Sequence, residues 1–239
     1  MRLEPDFQPL YKQVYNVLVQ RIVDGEWRPA EALPSEHALA AQLGVSQGTV
    51  RKALNSMVRE HLLERRQGKG TYVSEQTQER SLFKFFRLSR PDGSRVNPTS
   101  TTESIKRRAP KPREQEKLDL EASDEVIEIR RVRLVDDKPA VYESVVLPVK
   151  FFPDLDQRGE LPNALYSLFQ SEYGVNIVTA EESLWADLAT KTDAKRLSIA
   201  VGAPLLHIDR VALTIDQKKV EYRSSQCLTQ NLAYAVTVK

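Results

Sequence analysis

The segment that most constrains this chain runs from residue 33 to residue 73, and it predicts two helices, a tight turn and a two-stranded ribbon. Ser35 follows a proline and can cap the first helix by accepting from its free N–H groups. Gly44 stands where that helix should end in a left-handed conformation. Ser46 can cap the second helix. Apolar side chains recur there at helical spacing and predict its buried face: Val50, Ala53, Leu54, Met57 and Val58.

The ribbon is predicted from residues 62–66 and 71–73, with the basic, glycine-rich residues 67–70 as the turn between them. Two helices joined by a short glycine-containing turn form a helix-turn-helix, whose second helix lies in the major groove of DNA. Residues 51–73 carry a net charge of +4 and residues 1–50 carry −2. Positive charge therefore gathers where DNA phosphates would lie. The alternative is a small helical module with a solvated basic face, which would leave the agreement of caps, turn and charge unexplained.

The sequences LPSEHALAAQLGVSQGTVRKAL and LLERRQGKGTYV resemble the winged-helix domain of the GntR family of bacterial transcriptional regulators. The resemblance implies binding to double-stranded DNA, with the second helix at bases or phosphates and the ribbon, or wing, at the minor groove or backbone. The chain departs from the family at Gln47, where Arg is common, and at Ala30, where Gly is common. The implied DNA-binding residues are Ser35, His37, Ser46, Gln47, Gly48, Thr49, Arg51, Arg65, Arg66, Gln67, Gly68 and Lys69.

Composition limits the remaining possibilities. With 239 residues, of which 41% are hydrophobic and 28% charged, the chain suits one large or two modest domains. Its single cysteine, Cys227, excludes an intrachain disulfide, and three scattered histidines predict no metal site. The first ten residues lack the apolar core of a signal peptide, and no run approaches the ~20 apolar residues of a membrane span. We therefore expect a cytoplasmic protein with no membrane partner.

The pattern predicts a DNA-binding domain over residues 1–74, with a first helix at 10–24, and a second domain over residues 75–239. Residues 74–82 are polar and without period, which predicts a linker. Beyond them the predicted helices are 113–120, 163–173 and 192–199, and the predicted strands are 126–135, 140–147, 176–188, 205–215 and 219–228. Few helices among many adjacent strands predict an α+β class with an antiparallel sheet in the second domain.

The second domain also resembles a known one. RRVRLVDDKPAVYESVVLP and GAPLLHIDRVALTIDQKKVEYRSSQ resemble the UTRA effector-binding domain of the HutC subfamily, whose fold is that of chorismate lyase. This half is too rich in strands for the family's all-helical second domain and too short for its aminotransferase domain. The resemblance covers about residues 80–237. It implies a homodimeric repressor, released from a palindromic operator by a small acidic metabolite, with no cofactor.

Arg131 and Arg133 are two residues apart in a predicted strand, so their side chains share one face. Two guanidinium groups among apolar neighbours need an anion, because burying unpaired charge is costly. They either hold the carboxylate or phosphate of an effector, or pair with structural carboxylates such as Glu143 or Glu221. HutC-like sensors use arginines here to bind an acidic effector, so the resemblance favours the first alternative. It also implies Glu143 as a ligand-contacting acid, with Glu221 as a further candidate.

The hairpin register decides whether Glu143 faces Arg133. A two-residue turn at residues 137–138 would place them on opposite faces, and a loop of odd length would place them on one face. We expect the odd loop, because Glu143 matches the family's ligand-contacting acid.

The same resemblance bears on the effector. Sugar-phosphate sensors of the subfamily tend to carry Tyr-Arg where this chain has Cys227 and Leu228, so a small organic acid or amino-acid derivative is expected. The alternative of a different class is a chorismate lyase-like enzyme, or another enzyme of small acids, with an accessory nucleic-acid-binding module. The segment 68–70 is only a fragment of a nucleotide-binding motif, and no Ser, His and Asp stand at catalytic spacing. We therefore expect no enzyme and no catalytic residues.

Overall fold

The computed structural model describes residues 8–75 and 77–237, apart from the side chains of residues 78 and 81–83. The predicted domain limits at residues 1 and 239 lie outside the described residues. The first unit consists of α1 (Leu10–Val23), α2 (Glu36–Leu43), α3 (Gln47–Arg59), β1 (Leu63–Arg66) and β2 (Gly70–Val73). The two strands pair antiparallel and form the wing. The predicted order of helix, turn, helix and ribbon is confirmed.

Local chemistry sets the ends of α2 and α3. The Ser35 hydroxyl accepts from the N–H of Ala38, and the Ser46 hydroxyl accepts from the N–H of Thr49, at 3.1 and 3.2 Å. Gly44 ends α2 with φ of 67°, a conformation that glycine adopts without steric cost. The apolar faces of α1, α2 and α3 then close on one core, which includes Val14, Leu18, Leu39, Val50, Leu54 and Met57.

The second unit is built on one antiparallel sheet. Its strands are β3 (Leu88–Ser89), β4 (Thr99–Arg108), β5 (Val126–Val135), β6 (Lys138–Pro148), β7 (Ile177–Leu188), β8 (Pro204–Thr214), β9 (Lys219–Cys227) and β10 (Ala233–Tyr234). Six of them form the sheet in the order β4-β5-β6-β9-β8-β7, and β3 pairs with β10 beside it. Its helices are α4 (Gln78–Phe85), α5 (Pro112–Leu118), α6 (Leu165–Tyr173) and α7 (Lys191–Leu197). The predicted α+β class is confirmed.

Residues 78–82 of the predicted linker belong to a helix, which the sequence did not predict. Helix α4 begins inside this stretch and continues to Phe85, which packs edge-on against Tyr166 of α6 at 4.8 Å between ring centres. The polar residues come first in the helix, so the segment showed no apolar period although the last residue of the helix, Phe85, is buried.

The structure of the β5–β6 hairpin explains why Arg131, Arg133 and Glu143 lie on one face of the sheet. Its turn has two residues, Asp136 and Asp137, both with positive φ near 55°, which is the geometry of a tight hairpin turn. The predicted loop of odd length is therefore wrong. A bulge at Ala140 inserts one residue into β6, and the register changes from Leu134 opposite Pro139 to Arg133 opposite Val141. This extra residue shifts the side-chain alternation, as an odd loop would have done.

Helix α6 packs on one face of the sheet and forms a core with Ile127, Ile129, Val145 and Leu147. The charged residues discussed below lie on the same face, at the end of this core. The two units touch where Ile215, in the β8–β9 turn, joins the core of the first unit. None of the helices in the described ranges has the length and apolarity to span a bilayer.

Candidate DNA-binding surface and effector site

The predicted DNA-binding residues lie on α2, α3 and the wing, with Ser35 and Ser46 as the caps of the two helices. Eleven of the twelve are exposed, and Thr49 is half-buried. Ser46 and Thr49 bond to each other at 2.8 Å between hydroxyl oxygens, so both serve the start of α3. Gln47 and Gly48 lie exposed in its first turn, which is the part of a recognition helix that meets base edges.

One carboxylate, which sequence reasoning missed, bridges two arginines of this surface. Glu36, the first residue of α2, accepts from Arg51 Nε through Oε2 at 2.8 Å. Its other oxygen accepts from Arg65 Nη2 at 3.0 Å. Arg51 belongs to α3 and Arg65 to β1, so one side chain connects the recognition helix with the wing.

The wing has a second bridged carboxylate. Glu64 accepts from Arg66 of the same strand and from Arg80 of α4, each at 2.7–2.8 Å. The Arg66 guanidinium also lies 4.2 Å from the ring centre of Tyr72. Glu64 therefore links the wing to α4, the first helix of the second unit.

A pocket of about 60 Å³ opens on the second unit between the sheet, α4 and the start of α6. It has room for a few water molecules or one small polar group. Its lining residues include Phe85, Phe86, Arg131, Arg133, Val141, Glu143, Asn163, Tyr166, Arg210, Arg223, Ser225, Cys227 and Tyr234. Among the described residues, five arginines line it, with Arg87 and Arg210 among them, and Glu143 is the single acidic residue. Its lining therefore carries more basic than acidic groups, although Arg131, Arg210 and Arg223 each pair with a carboxylate.

Buried ion pairs within 3.5 Å hold three of the four predicted residues. Arg131 and Glu143 are 1% and 3% exposed, and Arg131 Nε donates to the Glu143 carboxylate. The other Glu143 oxygen accepts from Arg223 Nη1 at 3.3 Å, and Arg223 binds Glu221 through two nitrogens at 2.8 and 3.0 Å. Burial alone would raise the pKa of Glu143, but Arg131, Arg223 and Arg133 hold it well below its usual value.

Arg133 is less fully paired. Its Nη1 lies 3.7 Å from Glu143 Oε1, and its Nη2 donates to Asn163 Oδ1 at 3.2 Å. Its Nε is buried and has no hydrogen-bond partner among the described residues. Burial, reinforced by Arg131, lowers the pKa of Arg133 to about 9. A buried cation with an unused N–H at a pocket wall is suited to receive an anion.

Three of the four predicted effector residues line the pocket, and the fourth does not. Arg131, Arg133 and Glu143 line the pocket, whereas Glu221 is fully buried beneath it, where it accepts from Arg223 and from the Tyr166 hydroxyl at 2.8 Å. The alternative of structural pairing holds for Arg131, whereas Arg133 is paired only in part and keeps an unused Nε.

Sequence reasoning missed several lining residues. Arg223 was detectable, because it stands two residues after Glu221 in a strand, as Arg133 stands after Arg131. Asn163, Arg210 and Tyr234 come from a loop and distant strands, and nothing in their local sequence marks them. Arg210 is held by Glu182 at 2.7 Å and donates to the main-chain oxygen of Phe85, the last residue of α4.

A serine, a histidine and an aspartate meet on the opposite face of the sheet, although they are scattered in the sequence. Ser224 Oγ lies 3.0 Å and Asp209 Oδ1 lies 3.1 Å from the same nitrogen, Nε2 of His207. A catalytic triad needs the serine and the aspartate on different ring nitrogens. This cluster therefore lacks the geometry of an activated nucleophile.

Comparison with known proteins agrees with both units. The family model of bacterial regulatory proteins of the GntR family matches residues 10–73, and the UTRA domain model matches residues 93–232. The chain belongs to the GntR family and carries a UTRA domain. In this family the first unit binds operator DNA and the UTRA domain binds a small-molecule effector. The chain is thus a ligand-responsive, DNA-binding transcriptional regulator and not an enzyme.

Individual relatives match more than nine-tenths of this chain. The transcriptional repressor NagR of Bacillus subtilis is 31% identical over 232 residues, which is 91% of this chain and 89% of NagR. An Escherichia coli K12 protein named "Probable fructoselysine utilization operon transcriptional repressor" is 28% identical over 97% of this chain and 96% of its own length. The crystal structure of PhnF from Mycobacterium smegmatis shares the fold, with a TM-score of 0.57 at 21% identity over 95% of this chain and 99% of PhnF.

Proposed function

We propose that this GntR-family protein is a homodimeric repressor, released from a palindromic operator by a small anionic metabolite that binds at Arg133. The observation that carries the proposal is the buried Nε of Arg133, which lacks a partner at the wall of a pocket lined by five arginines and one carboxylate. An incoming carboxylate would complete the hydrogen bonding of Arg133 and offset the excess positive charge.

The remaining groups of the site have distinct roles in this proposal. Arg131 and Arg223 fix Glu143, and Glu143 is left to accept from a polar group of the ligand. Glu221 holds Arg223 from below and contacts no ligand. Phe86 lies under Arg133, 5.0 Å from the guanidinium carbon to the ring centre, and offers an apolar wall.

The chemistry of the effector follows from this arrangement. A pocket with several guanidinium groups and one carboxylate, which is already paired with Arg131 and Arg223, favours a small organic acid or an amino-acid derivative over a neutral sugar. A relative is named for the utilization of fructoselysine, which is a derivative of an amino acid. The name agrees with an effector that carries a carboxylate.

The signal from this pocket can reach DNA through α4. Phe85 and Phe86, at the end of α4, line the pocket, and Arg80, near its start, pairs with Glu64 of the wing. A ligand that repositions the end of α4 would shift the wing in the same movement. Ligand binding and DNA binding are then coupled through one helix.

On the DNA side, α3 enters the major groove, with Gln47, Gly48 and Arg51 nearest to base edges. The wing, with Arg65, Arg66 and Lys69, follows the backbone or the minor groove. One recognition helix reads few base pairs, so we propose that two copies read two half-sites about one helical turn apart. Such a repressor works in the bacterial cytoplasm, where its operator lies.

A thermal-shift screen of small carboxylates, phosphates and amino-acid derivatives tests the proposal. A ligand present at 100 times its dissociation constant stabilises the folded protein by ~2.7 kcal/mol. The Arg133→Met variant should lose this shift. Arg130→Met is the matched control, because Arg130 neighbours Arg131 on the same strand but is exposed on the opposite face. An equal shift in all three proteins would exclude Arg133 as the anion site.

A further inference from the structure

We propose that Glu36 is a positioning residue of the DNA-binding surface, which fixes the recognition helix and the wing relative to each other and so sharpens discrimination between operator and other DNA. The proposal rests on the DNA contacts proposed for Arg51 and Arg65. Glu36 itself touches no DNA in this account, because it acts through the two arginines.

The geometry of α2 places the carboxylate between the two elements. Ser35 caps α2, so Glu36 begins the helix at a fixed position. Its side chain is 19% exposed, whereas those of Arg51 and Arg65 are 55% and 45% exposed. Each Glu36 oxygen serves a different arginine, and each arginine uses one nitrogen. The other nitrogens of Arg51 and Arg65 have no partner within the described part of the chain and remain available for phosphates or bases.

This arrangement does little for stability. Exposed ion pairs contribute little to the free energy of unfolding, because solvent screens them and both side chains must be ordered. A carboxylate in a basic surface also repels DNA phosphates, which lowers affinity for every sequence alike. Ordering two long arginine side chains before binding lowers the entropic cost of binding the operator. Glu36 raises operator affinity only if this gain exceeds the loss that repulsion causes. Glu36 therefore favours discrimination over affinity.

The test uses the full-length Glu36→Gln variant and two DNA probes. One is a duplex that the wild-type protein selects from a random pool, and the other is the same duplex with shuffled sequence. Glutamine keeps the size of the side chain and removes its charge. We expect affinity for the selected duplex to fall about tenfold, because two arginines must now be ordered on binding. Affinity for the shuffled duplex should stay equal or rise.

Glu26→Gln is the charge-matched control. Glu26 also pairs with an arginine of the first unit, Arg21 at 3.5 Å, but neither residue belongs to the predicted DNA-binding set. If Glu36 acts only through its charge, the two variants will change both affinities alike, and the proposal is overturned. If Glu36 positions the surface, only its substitution will reduce the ratio of selected to shuffled affinity.

A double-mutant cycle separates positioning from a general structural role. In the wild-type background, each single substitution, Arg51→Ala or Arg65→Ala, weakens binding to the selected duplex by some factor. The double variant should weaken it by a factor at least threefold smaller than the product of those two factors. In the Glu36→Gln background, the factor for the double variant should equal the product of the two single factors. Multiplying effects in both backgrounds would contradict the proposal, whereas an Arg51→Ala variant with unchanged affinity would remove the underlying DNA contact instead.

A second variant covers the case in which Glu36→Gln folds poorly. Glu36→Asp keeps the charge but is one methylene shorter, so it cannot span both arginines. It should lose discrimination as Glu36→Gln does, with a melting temperature within a few degrees of wild type. Wild-type discrimination in Glu36→Asp would overturn the proposal.

Discussion

Arg131 and Glu143 lie directly opposite each other across β5 and β6, and their guanidinium and carboxylate groups form a buried ion pair. The pair exists because Ala140 is bulged out of the register in β6. Without that extra residue the two-residue turn would send Glu143 to the opposite face of the sheet. The place of Glu143 in the charged pocket therefore depends on one irregularity in a hairpin.

Arg131 and Arg133 should differ in their effect on stability. Removing Arg131, by Arg131→Met, leaves Glu143 buried with weaker compensation and should cost ~3–5 kcal/mol in the free energy of unfolding. Arg133→Met removes a cation whose Nε has no partner, so it should cost less than about 1 kcal/mol or stabilise the protein. Urea unfolding of both variants measures this. Equal large losses would show that Arg133 is also structural.

The pair also predicts a pH dependence. The pKa of Glu143 is held well below its usual value, so this carboxylate stabilises the fold above about pH 4.3, the usual pKa of Glu. That stability is lost as the pH falls below this value, and it should amount to on the order of 2 kcal/mol. Glu143→Gln cannot titrate. Unfolding by urea at pH 6 and at pH 3 should therefore show a larger fall for wild type than for the variant, and equal falls would contradict the ion pair.

Much of the DNA-binding unit was predictable because its signals are local. Ser35, Gly44 and Ser46 mark helix ends through backbone chemistry that depends on a few neighbouring residues. The spacing of Arg131 and Arg133 likewise fixed their common face. The hairpin register was not predictable, because the bulge at Ala140 depends on pairing with the whole sheet and has no local signature.

The pocket likewise combines residues that have local sequence signals with residues that have none. The lining residues Arg131, Arg133 and Glu143 alternate with outward-facing residues along their strands, and sequence periodicity can detect this alternation. Asn163, Arg210 and Tyr234 reach the pocket through tertiary folding alone. Helix α4 was missed because its polar first turns hide the burial of Phe85.

Arg51 should carry part of the DNA affinity. Arg51→Ala should weaken operator binding by ~1–3 kcal/mol if the guanidinium reads a base. If it meets only phosphate, all duplexes should weaken alike and the slope of binding against salt should fall by about 1. Gel-shift titration at two salt concentrations distinguishes these results. Unchanged affinity would exclude both contacts.

The protein should be a dimer in solution and on DNA, because a palindromic operator needs two recognition helices related by two-fold symmetry. Light scattering coupled to size exclusion should give twice the chain mass of 27.2 kDa at micromolar concentration. A mass of a single chain, both free and bound to DNA, would contradict the proposed dimer.

Operator release by the effector, compared between Arg133→Met and Arg130→Met, tests the central claim most directly. The acid found by thermal shift would be titrated against each protein bound to its selected duplex, with free-ligand affinity measured on the same preparation. Arg133→Met should bind operator as wild type does, but should bind the acid at least ~10-fold more weakly, since a charged hydrogen bond contributes roughly 1.5–3 kcal/mol. It should therefore need correspondingly more acid for release, while Arg130→Met responds normally. Release of Arg133→Met at the wild-type concentration of acid would contradict the account.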